Sequence, residues 1–60
     1  MNHDIPKDPI MLMSYVNMKL RDDFSNLDEL CKVLGIDRKW LENSLAEFGF
    51  EYNSEENKFW

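Results

Sequence analysis

Residues 27–49, LDELCKVLGIDRKWLENSLAEFG, decide the fold. Leu27, Leu30, Cys31 and Leu34 recur at i, i+3, i+4 and i+7, the stripe of a short amphipathic helix. Gly35 ends that stripe, and glycine is the residue that adopts the left-handed helix-stop conformation at least cost. Ile36 then tucks inward and Asp37 caps a second helix, in which Trp40, Leu41, Leu45 and Phe48 are periodic. Gly49 supplies a second stop. Upstream, Ser25 is the expected N-cap of the first of these helices, with Asp28 in a capping-box-like position and Phe24 as a hydrophobic staple.

After Gly49 the period changes. Phe50 and Tyr52 alternate with Glu51 and Asn53, turn-forming residues occupy 53–57, and Phe59-Trp60 close the chain. That pattern predicts a two-stranded hairpin with a polar tip. A hairpin this small has no independent stability, so its aromatics are expected to lie on the helices. Toward the start, Asp8-Pro9 is a strong helix opening: the carboxylate can accept from first-turn amides, and Pro9 at the first helical position gives up no needed donor. The helix runs to about residue 21 or 23. It has one apolar face of Leu12, Met13, Val16 and Leu20 and a second of Met11, Tyr15 and Met18, with Ser14, Asn17 and Arg21 as a polar stripe between them. Residues 1–7 are expected to form a flexible arm and residues 8–60 a single domain.

The spacing around Gly35 has a further meaning. Leu30, Cys31, Leu34, Ile36 and Leu41 fill the apolar and small positions of a helix-turn-helix, although Ser44 stands where another apolar residue is wanted and Leu45 follows it. Residues 27–60 therefore resemble the helix-turn-helix and winged-helix class, and the expected fold is mainly α: three helices, the last two as a helix-turn-helix, closed by a C-terminal two-stranded hairpin. The resemblance implies a shape more than a ligand, since such folds also bind proteins. A nucleic-acid-binding regulator would use Arg38, Lys39 and Asn43 at the start of the third helix.

Charge opposes that alternative. Seven basic residues face twelve acidic ones, a formal net charge of −5 over 60 residues. The acidic excess is spread along the chain, with Glu51, Glu55 and Glu56 on the hairpin, whereas affinity for DNA comes largely from neutralising phosphates. Asp22, Asp23, Asp28 and Glu29 lack the alternating ligands and glycine of a calcium loop and read as caps and a solvated face, so no metal is expected. His3 is the sole histidine and falls in the arm, and both glycines act as helix stops. No catalytic set, phosphate loop or cofactor site is therefore expected, and the chain reads as non-enzymatic. Cys31 alone cannot form an internal disulfide and suits a reducing compartment. The longest apolar run, residues 10–13, is too short to cross a bilayer, and no secretory signal opens the chain, so a cytoplasmic protein is expected.

A chain of this length buries only roughly 60% of its unfolded surface, so two apolar stripes on the first helix are more than it can readily cover. Met11, Tyr15 and Met18, with Ser14, Asn17 and Arg21 beside them, are the expected contact for a protein partner or for a second copy in a homodimer. The segments DPIMLMSYVNMKLRDD (8–23), LDELC (27–31) and FEYNSEENKFW (50–60) together resemble a family of very short bacterial proteins classed as a domain of unknown function. That resemblance implies a stand-alone bacterial protein and carries no activity and no functional residue.

Overall fold

The computed structural model describes residues 5–60. Three helices, α1 (Pro9–Asp22), α2 (Leu27–Leu34) and α3 (Arg38–Ala46), precede an antiparallel pair of short strands, β1 (Tyr52–Asn53) and β2 (Lys58–Phe59). The chain is thus mainly helical with a C-terminal hairpin. Tyr52 pairs with Phe59 and Asn53 with Lys58, and mutual backbone hydrogen bonds between Glu51 and Trp60 extend the ladder by one pair. Of the arm expected at 1–7, residues 1–4 and with them His3 lie outside the described residues, whereas Ile5 packs, half-buried, against the core.

Local chemistry sets most boundaries. The Asp8 carboxylate accepts from the amides of Ile10 and Met11, with Pro9 at the first helical position of α1. Asp37 accepts from the Lys39 amide at the start of α3. The start of α2 corrects the sequence reading. Its N-cap is Asn26, not Ser25: Asn26 Oδ1 accepts from the Glu29 amide at 2.8 Å, and the Glu29 carboxylate accepts from the Ser25 amide at 2.9 Å. Glu29 has the reach to turn back over the helix start, which the shorter Asp28 lacks, so a variant of the capping box forms one residue later, with Glu29 closing on the amide before the cap.

Gly35 ends α2 with φ 71°, and a Cβ built there would meet no atom within 4 Å. The cost of Gly35→Ala is therefore that of a left-handed backbone alone, about 1 kcal/mol. In a domain of this size that corresponds to a fall in Tm of about 4–8 °C. A thermal melt followed by circular dichroism checks it, and an unchanged Tm would mean that the turn carries no conformational demand.

The core joins the three helices and β2, with Tyr52 of β1 half-buried at its edge. Leu12, Val16 and Leu20 of α1, Leu27, Leu30 and Cys31 of α2, Ile36 of the turn, Leu41 and Leu45 of α3, and Phe59 of β2 are buried together. Burial pushes the Cys31 thiol above its usual pKa, which keeps it in the inert thiol form. Two residues expected on the apolar face of α3 are not in this core: Trp40 is 46% exposed and Phe48 58% exposed. Leu41 and Leu45, four residues apart, define the inward line. Trp40 lies about 100° around the helix from Leu41, and Phe48 falls beyond the last helical residue, Ala46.

Candidate interaction surface

The hairpin is tied to α1 by side chains that read the backbone. Asn17 donates from Nδ2 to the Phe59 carbonyl at 2.9 Å and accepts at Oδ1 from the Phe59 amide at 2.7 Å. One amide side chain thereby satisfies both backbone groups of a buried strand residue, and it turns the Phe59 ring into the core. At the hairpin tip, Asn57 adopts a left-handed backbone with φ 55° and donates to the carbonyls of Leu20 and Phe24, each at 3.1 Å. Its Oδ1 accepts from the Tyr52 hydroxyl at 2.8 Å, and the Tyr52 oxygen accepts in turn from the Leu27 amide at 3.3 Å. This chain links the end of α1, the start of α2 and both arms of the hairpin.

The hairpin leaves one side of α1 open. Between them runs an open groove of ≈ 680 Å³ lined by Met13, Ser14, Asn17, Met18, Leu20, Arg21, Glu56, Asn57 and Lys58. Four of the six residues singled out for an interface, Ser14, Asn17, Met18 and Arg21, line this groove. Among them Asn17 is a hairpin anchor whose side-chain amide is already engaged. Met11 lies on the outer face of the helix and is 60% exposed, and Met18 is 43% exposed. Tyr15 departs from the patch. It is half-buried against the core, with Lys19 Nζ 5.8 Å from its ring centroid. The helical angle explains the split: Tyr15 sits about 40° around from Met11 on the core-ward side, while Met18 sits about 20° away on the other.

The residues of the nucleic-acid alternative are differently placed. Arg38 hydrogen-bonds Asp28 and Glu42, and its guanidinium lies 5.7 Å from the Tyr52 ring centroid. The Asp28 contact, helped by Glu42, holds the guanidinium even more firmly protonated than usual. Asn43 lines a small hollow of ≈ 220 Å³ beside Glu42 and Glu51, an acidic setting for a residue that would approach a polyanion. Lys39 is exposed.

The acidic residues near the ends of α1 and α2 each have a partner. Asp22 pairs with Arg21, Asp23 with Lys19 and Asp28 with Arg38, while Glu29 takes the Ser25 amide. Among the described residues no group of three or more His, Cys, Asp or Glu is placed to hold a metal ion. Also among them, no helix is long and apolar enough to cross a membrane.

These features define a class: a three-helix domain closed by a C-terminal hairpin, with an apolar core and an open surface along its first helix. The chain belongs to the family described as Domain of unknown function (DUF4250), whose model matches residues 6–59. No curated protein matches the chain, and no solved structure matches it.

Proposed function

We propose that this protein is a small, non-catalytic protein-binding module whose contact face is the outer side of α1. The observation that carries the proposal is the exposure of Met11 and Met18 on a helix whose other face, Leu12, Val16 and Leu20, is fully buried. Single exposed apolar residues are ordinary. Here two unbranched thioethers stand one heptad apart, with the small Ser14 between them and Ile10 exposed nearby. Methionine adapts its shape to a partner, and such a line accepts the apolar ridge of another helix. The charged side chains of the described residues lie at the surface, several in ion pairs, over an apolar core. This favours binding over catalysis, because catalytic groups are characteristically desolvated with perturbed pKa values. The engagement of Arg38 and the acidic neighbours of Asn43 favour a protein partner over nucleic acid.

A photoreactive benzoylphenylalanine at Ile10, an exposed position beside the face, tests the proposal in cells. A discrete crosslinked species is expected, and it should disappear when Met11 and Met18 are both changed to Lys. That double variant should keep its Tm, since exposed substitutions typically change stability by no more than about 0.5 kcal/mol. Crosslinking that is absent, or that survives the double substitution unchanged, defeats the proposal.

A further inference from the structure

We infer that the occupant of this face is a second copy of the chain, packed antiparallel along α1 across a two-fold axis near Ser14. The inference rests on the contact face proposed above and adds the identity and direction of the partner. Met11, Ser14, Met18 and Arg21 step along the helix by three, four and three residues, the spacing of a coiled-coil seam. Their positions place all four on the side facing away from the core, and Met11, Ser14, Met18 and Arg21 are all exposed.

Self-complementarity of charge sets the direction. Lys7 and the N-cap Asp8 lie just before α1, and its end carries Arg21-Asp22, all exposed. With one copy reversed, Met11 meets the partner's Met18 and Met18 meets the partner's Met11. Carried past the helix start, the same register brings Lys7 to the level of the partner's Asp22, and Arg21 to the level of the partner's Asp8, the carboxylate whose Oδ1 caps α1. A parallel pair would instead stack like charges and align the two helix dipoles. In the single chain Arg21 Nε hydrogen-bonds Asp22 at 3.0 Å, and both side chains are solvent-exposed. A pair of that kind is weakly held, so Asp22 is free to exchange partners. Ser14, at the crossing point, is small enough to let the helices approach.

A single 14-residue helix buries less than the standard interface of about 800 Å² per partner, so the dimer is expected to be weak. Sedimentation equilibrium of the purified chain between about 10 μM and about 1 mM covers dissociation constants that correspond to about 4–7 kcal/mol of association free energy. A monomer–dimer equilibrium is expected within it, abolished by Met18→Glu. Lys7→Glu and Asp22→Lys should each raise the dissociation constant by about fivefold, as expected for an exposed pair counted twice by symmetry. The double variant should return it to the native value. Circular dichroism should show every variant folded, since all three sites are exposed.

A chain that stays monomeric throughout this range overturns the inference, as does a dimer indifferent to Met18→Glu. Failure of the double variant to restore the dimer overturns the antiparallel register. The contact face itself is judged separately by the crosslink from Ile10: an adduct with a different protein, joined to a monomeric native chain, keeps the face and removes the second copy as its occupant.

Discussion

Phe59→Ala is expected to remove a large share of the protein's stability, the largest effect of any single side-chain truncation in this chain. Phe59 is 1% exposed and is the largest fully buried side chain among the described residues. Its ring centroid lies 5.5 Å from that of Tyr52, in a tilted arrangement that aromatic pairs favour. Truncating a buried phenylalanine costs about 3–5 kcal/mol, because the apolar contact is lost and the cavity only partly collapses. The total stability of 60 residues is about 3–9 kcal/mol at ordinary values per residue. Trp60→Ala is the internal control: the neighbouring aromatic is 58% exposed, with Lys58 Nζ 4.6 Å from its ring centroid. It should change stability by no more than about 1 kcal/mol, the upper value for an exposed cation–π contact. Urea titrations of the two variants, followed by circular dichroism, would separate them. Equal losses would mean that the hairpin is held by something other than the Phe59 ring.

Asn57→Leu is the second. It removes the two donors that reach Leu20 and Phe24, takes the acceptor from the Tyr52 hydroxyl, and places a branched side chain on a left-handed backbone. The site is half-buried, so water replaces part of what is lost. The expected cost is about 2–4 kcal/mol, from polar groups left poorly paired and from the backbone conformation. Asn57→Gly separates the two parts, since glycine keeps the backbone free while losing the hydrogen bonds. It should be the more stable variant by about 1 kcal/mol. If Leu and Gly were equally destabilising, the left-handed backbone would contribute nothing. If neither lost stability, solvent alone would satisfy the two carbonyls.

These two side chains also mark where sequence reading stops. Asp8, Gly35 and Asp37 were legible because a cap or a helix stop acts within a few residues, and the residue type at that spacing is itself the physical cause. The inward lines of α1 and α2, and Leu41 and Leu45 of α3, were legible because helical periodicity sorts burial. Asn17 looked like one member of a polar stripe, and no local signal distinguishes a solvated asparagine from one that grips Phe59 forty-two residues away. Asn57 read as a turn residue, which it is, but its bonds to Leu20 and Phe24 span thirty-seven and thirty-three residues. Arg38 looked available to a ligand because Asp28, ten residues earlier, is brought beside it only when α2 and α3 fold back. Trp40 and Phe48 were counted as core because periodicity alone does not set the width of the buried face or the residue at which the helix ends.

Element order, the helix stops, the hairpin and most apolar residues of the core, Trp40 and Phe48 excepted, were thus written locally, because propensity, capping and burial periodicity act over a few residues. The sequence by itself also contained the spare apolar line on α1, although with Tyr15 included. Tertiary structure alone decided which side of α1 the hairpin covers, how Asn17 and Asn57 fasten it, that Tyr15 joins the core rim, and that Met11 and Met18 stay in solvent. Those outcomes depend on how far a two-stranded hairpin reaches across a helix, and on long-range hydrogen bonds whose partners are unrelated in sequence until the chain has closed.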